Sequence, residues 1–234
     1  NTGKINPIQL LYTATPFANV FINPYPTNSD TLDDLYPKDF ITALPKPNSY
    51  FGTEDLFGRF SADGDSDPGE LDGHDMVRNI PEEDEAMLQP LRRDDRDSFK
   101  PQMPPSLEDA ILYFLACCAA RKVRGQSNQH MSMLVHTSAY VVLHERVAEM
   151  IEEWISKNRA TLEINSSPLL TRMATIWKRE SQAVDESITK TKRVGFEDLK
   201  KQLGAVLAGL EVPVENGRSD DRIDYEKCPR TYIV

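Results

Sequence analysis

Two short stretches place small hydroxyls where chemistry could sit. Thr13-Ala14-Thr15-Pro16 follows the apolar run Ile8-Gln9-Leu10-Leu11-Tyr12. His136-Thr137-Ser138 follows Met131-Ser132-Met133-Leu134-Val135. Each run reads as a short buried strand, and Pro16 forbids further ladder pairing. Open α/β sheets bind their ligands at the carboxyl ends of strands. Hydroxyls and exposed N–H groups there suit phosphate contacts, which position a backbone without reading its sequence. Either stretch alone is a strand cap and a turn. Together, in this order, they point to a nucleotide-driven machine.

Other chemistries find less support. A phosphate-cradling GxxxxGK[ST] loop is missing from the sequence, so ATP binding and hydrolysis by this chain alone are not expected. Asp84-Glu85-Ala86-Met87 imitates the acidic motif of helicases, but no apolar strand precedes it to fix the acids at a sheet edge. Asp63, Asp65 and Asp67 have the spacing that opens a calcium loop. Pro68 then stands where Gly is needed and His74 where Glu is needed, so a solvated acidic loop is expected. His130, His136 and His144 do not pair with acids at metal-helix spacing, and His136 and His144 need not share a face. The acid-x-Lys of a magnesium nuclease occurs as Asp198-Leu199-Lys200, within an amphipathic helical pattern, and reads as surface charge. Ser138 near His136 lacks the GxSxG elbow of a hydrolase.

The elements that must position these residues follow from periodicity. Residues 24–105 are Pro-rich with no sustained helical period. They hold two aromatic islands, Leu35-Tyr36-Pro37-Lys38-Asp39-Phe40-Ile41 and Tyr50-Phe51-Gly52-Thr53-Glu54-Asp55-Leu56-Phe57-Gly58. Ser61 to Gly73 is expected to be the most mobile part. A helix is predicted from Ser106, with Ser106 as N-cap and Asp109 in the capping-box position. Gly125 is its stop. A second helix is predicted from Tyr140 to Asn158. A third opens at Pro168, which is favoured in a first turn, and a fourth runs from Phe196 to Leu210. Glu211-Val212-Pro213-Val214-Glu215 reads as an edge-like strand, and Thr231-Tyr232-Ile233-Val234 as a last one. This order gives an α/β fold with a small parallel sheet and an inserted helical pair.

Composition narrows the classes. The chain has 234 residues, 16 prolines and a net charge of −10. Residues 52–97 hold 15 acids against 5 bases, leaving 22 acids and 22 bases elsewhere. All the net acidity therefore lies in one insert-like segment, and the flanking parts could carry a basic face. No apolar run approaches the ~20 residues of a membrane span. Adjacent Cys117 and Cys118 point to different helix faces, Cys228 stands alone, and no CxxC pair exists. Reduced thiols of a cytoplasmic protein are expected. The start, Asn1-Thr2-Gly3-Lys4, lacks a signal-peptide pattern and an initiator methionine, as an excised piece would.

The strand-end pair resembles superfamily 2 helicases and translocases. A closer resemblance is to the Z-one domain, an endonuclease-labelled family of bacterial proteins with a helicase-like ATPase. The residues carrying it are Tyr12 to Val20, Leu35 to Ile41, Phe51 to Gly58, Pro105-Ser106-Leu107 and Met133 to Ser138. The resemblance implies a partial RecA-like lobe. Residues 1–23 would be the terminal strand and linker of a first lobe, 24–105 an acidic insert, and 106–234 a truncated second lobe. It implies ATP-dependent action on DNA by the parent protein in restriction or phage defence, with ATP and Mg as the parent's cofactors. Other defence-system subunits would be partners, and no membrane would be. Thr13 and Thr15 would couple the lobes, and His136, Thr137 and Ser138 would touch the DNA backbone. A magnesium-dependent DNA endonuclease and a non-catalytic interaction domain using the Tyr50–Phe57 island are the alternatives. No catalytic residue, metal ligand or cofactor is assigned to the chain itself.

Overall fold

A computed structural model describes residues 42, 44–45, 47, 50–59, 72–164, 166–216, 222–226 and 230–234. The chain divides into two compact units, Asn1–Phe51 and Gly52–Val234, and the elements below belong to the second. Thr13, Thr15 and their strand, the Leu35–Ile41 island, the Asp63–Asp65–Asp67 run and Cys228 lie outside the described residues.

The second unit is α/β. A short helix α1 (Thr53–Phe57) is followed by α2 (Glu82–Ala86), a 3-10 turn (Arg93–Asp97) and the long helix α3 (Pro105–Val123). Strand β1 (Met131–Met133) leads to α4 (Val141–Glu163), α5 (Pro168–Ala183), α6 (Glu186–Thr189), α7 (Phe196–Lys200) and α8 (Leu203–Ala208). Strands β2 (Leu210–Glu211) and β3 (Thr231–Ile233) complete it. The sheet is parallel with order β1-β3-β2. β3 pairs Thr231 with both Met131 and Leu210, and all three of its residues are buried, as expected of the central strand of a parallel sheet. The edge position of the strand expected around Glu211 is borne out, although regular pairing ends at Glu211.

α3 is the spine. Leu107, Ile111, Leu112, Leu115, Ala116, Cys118, Ala119 and Ala120 are buried along it, because α5, α7 and α8 pack around it. A helix apolar on most sides belongs inside. Its start corrects the capping-box expectation. Pro104 is the N-cap and Pro105 occupies the first turn, where its missing N–H costs nothing. The Ser106 N–H instead donates to the buried Asp84 carboxylate at 2.9 Å. The helix stops at Gly125, whose φ of 79° suits glycine, with open space around its Cα.

α5 opens at Pro168 as its sequence predicts, with the Ser167 hydroxyl accepting the Leu170 N–H. α4 runs five residues past Asn158, whose side chain donates back to the Trp154 carbonyl within the helix. The helix expected over 196–210 is two. The Gln202 N–H closes a tighter i→i+3 bond to Leu199, and Gly204 weakens the second piece.

Three polar ties fasten the acidic segment to this core. Arg78 donates two bonds to Glu180 of α5, at 3.2 and 2.5 Å. Asp84 caps α3. Arg146 of α4 donates to the carbonyls of Arg96, Phe99 and Asp97 at 2.8 to 3.0 Å. Leu88 is buried in the main cluster beneath them. A fourth knot joins three helices. Glu108 of α3 accepts from Trp154 of α4 at 2.7 Å and from Arg172 of α5 at 2.6 Å, and Arg172 also reaches Asp109.

Candidate strand-end groove

β1 delivers His136, Thr137 and Ser138 to its carboxyl end. The ladder closes just before them, with Val135 N–H donating to Val234 at 2.7 Å and Val234 N–H donating to Met133 at 2.8 Å. The chain then turns into α4. The buried Ser138 Oγ accepts the Tyr140 N–H at 3.1 Å, so this hydroxyl builds the turn. His136 is exposed and Thr137 half-buried.

His144, in the first turn of α4, folds back over this bend. Its Nε2 lies 2.8 Å from the Ser138 carbonyl, which can only accept. Nε2 therefore donates this bond. The His136 and His144 rings lie 6.1 Å apart. Their spacing in the sequence does not require them to share a face. The sequence reading missed this pairing, although a histidine in the first turn after a strand end is a usable signal.

The opposite wall is the chain leaving β2, Val212 to Glu215. Glu215 is held by Arg222 at 3.1 Å and by the Ile223 N–H at 3.4 Å. Val147, Ile151 and Ile233 form the floor. The result is a groove with an apolar floor and a polar rim of His136, Thr137, His144 and Glu215. Its volume is about 50 Å³, well below the roughly 300–1,000 Å³ of small-molecule sites. A shallow groove of this kind fits an extended backbone laid across it better than a nucleotide held within it.

The remaining candidates have structural roles. Asp198 pairs with Lys201 at 2.9 Å and Lys200 with Glu197 at 3.3 Å, both on the surface of α7 and the turn after it. His130 accepts the Arg230 N–H at 3.2 Å and lies against Tyr225 and Tyr232. Cys117 and Cys118 are free thiols; burial pushes them up to about 11 and about 12. Among the described residues, no group of three or more His, Cys, Asp or Glu could hold a metal ion, and no helix is long and apolar enough to cross a membrane.

Comparison with known families decides the relationship. Residues 106–234 match the Z1 domain, just over half of the 234-residue chain. The chain belongs to the Z1 domain family. The match begins at Ser106, in the first turn of α3, and runs through β3, so the spine helix, the whole sheet and the groove all lie in the Z1 domain. No curated protein and no solved structure matches the chain.

Proposed function

We propose that this Z1 domain is part of a helicase-like protein that acts on DNA in an ATP-dependent manner, in restriction or phage defence. The observation that supports this reading is the shallow groove at the carboxyl ends of a parallel sheet, rimmed by exposed His136 and half-buried Thr137. In this reading the second unit is a RecA-like lobe. A DNA backbone would cross the groove, with Thr137 Oγ and the His136 ring donating to phosphate oxygens. Ser138 would act through the turn it builds, and His144 would hold that turn by its bond to the Ser138 carbonyl. Phosphate contacts of this kind grip any sequence, as a translocating machine needs. ATP and Mg would be bound by other parts of the protein. Thr13 and Thr15 would couple ATP state to this lobe.

The test is DNA-stimulated ATPase of the full-length protein. Thr15→Ala is expected to abolish stimulation, and His136→Ala with Thr137→Val to raise the DNA concentration needed for it. Full stimulation in Thr15→Ala would refute the coupling role, and an unchanged DNA requirement in the groove variants would refute the groove. DNA cleavage that needs magnesium but no ATP would favour the endonuclease reading instead.

A further inference from the structure

A second charged surface lies at the other end of the sheet. α3 finishes with Arg121 and Lys122, followed by Arg124. Cations at a helix C-terminus complement its dipole, so these three alone have a bland explanation. Residues 190–193 change that. This loop brings Lys190 and Lys192 from outside the helix, and Arg124 clamps it, donating to the Lys192 carbonyl at 3.0 and 2.9 Å from Nε and Nη2. The guanidinium bond is spent on a backbone oxygen, so its charge is left uncancelled.

Three of the acids around it are already paired with cations, and a fourth caps a helix. Glu180 is held by Arg78 and Arg179, Glu186 pairs with Arg193, and Asp185 accepts the Ser187 N–H at the start of α6. Glu211 pairs with Arg230. Among the described residues, Arg121, Lys122, Arg124, Lys190 and Lys192 make no ion pair. Lys122 also lines a polar pocket of about 260 Å³ with Ser127, Gln129 and Thr231, at the amino ends of the strands. Small polar groups accompany the cations: exposed Thr189, Thr191, Ser127 and Asn128.

We infer that this ridge, α3's last turn clamped to loop 190–193, binds the phosphodiester backbone of a nucleic acid. Clustered cations without acid partners, mixed with hydroxyl and amide donors, match phosphate contacts. A membrane surface would need aromatic or leucine anchors beside the charge, and Arg121 to Asn128 and Thr189 to Arg193 contain none. The ridge and the strand-end groove occupy opposite ends of the sheet, so the two are separate contacts. Using DNA as the probe rests on the function proposed above; the phosphate chemistry does not.

The experiment measures binding of a short mixed-sequence DNA duplex to the full-length protein by fluorescence anisotropy across a salt series. The variant is Lys190→Asn with Lys192→Gln. Both side chains are exposed, and Asn tolerates the positive φ of position 190. Affinity is expected to fall about tenfold at moderate salt and the salt slope to shrink by about 2, close to one per lost contact. Adding Lys122→Gln should shrink it further. An unchanged slope would overturn the inference. So would binding to phosphatidylserine vesicles that the same substitutions abolish while DNA binding persists. His136→Ala with Thr137→Val serves as the separating arm: a raised DNA requirement for ATPase stimulation there with the ridge effect intact supports both surfaces. A ridge effect beside an inert groove supports the ridge alone.

Discussion

The Asp84 carboxylate lies 2.9 Å from the Ser106 amide nitrogen and caps the central helix from 22 residues upstream. The helix cannot cap itself, since Pro104 and Pro105 offer no side-chain acceptor and Pro105 no N–H. Asp84→Ala is expected to lower unfolding free energy by about 1–2 kcal/mol. Asp84→Asn keeps an acceptor oxygen and should cost less. Urea unfolding followed by circular dichroism checks both.

Glu108 links three helices, and its two oxygens serve different donors, Trp154 and Arg172. Glu108→Ala strands the indole N–H of buried Trp154 and leaves Arg172 with Asp109 alone. A loss of about 2 kcal/mol is expected. Tryptophan fluorescence during urea unfolding reads it, and Arg172→Ala in the same background should then cost less than it does alone.

The Glu180 carboxyl gives an acid-side prediction. Burial raises it, but Arg78 and Arg179 outweigh burial and hold it below the usual carboxylate range. The unfolded state therefore binds this proton more readily than the folded state. The stability Glu180 contributes is present above its unfolded value and is lost as pH falls through the lower folded one. Glu180→Gln should flatten the rise of stability with pH in that acid window and leave its slope near neutrality unchanged. Thermal melts across the acid range measure this.

Much of the architecture was legible because it is written locally. The apolar periodicity of α3, α4 and α5, Pro168 at a first turn and Gly125 past a last turn each follow from one segment's own residues. The parallel sheet follows from the order of the elements. The cap from Asp84, the return of His144 onto the Ser138 carbonyl and the clamp of Arg124 on Lys192 were hidden. Each joins segments whose proximity only tertiary packing creates. The broken helix at Gln202 was hidden for another reason: a single i→i+3 closure leaves the apolar pattern intact on both sides.

Burial pushes the Cys117 and Cys118 thiols to about 11 and about 12, so neither supplies thiolate at neutral pH. In a Cys228→Ser background, native protein is expected to resist alkylation by iodoacetamide. Denatured protein should take up two labels quickly. Fast labelling of the folded state would place these thiols outside the core.

β3 lies between β1 and β2, which do not pair with each other. The bond from Arg230 to His130 that opens this pairing spans 100 residues. During synthesis, both flanking strands leave the ribosome with no partner and wait for β3. The helices, all of which precede β3 in the chain, can assemble around α3 first. Two unpaired strand edges are thus exposed for the whole interval, and such edges attract foreign strands. The strand-end groove is consequently the last part of the unit to exist, and a nascent chain shortened before Thr231 would present a helical core whose groove lacks Ile233 from its floor.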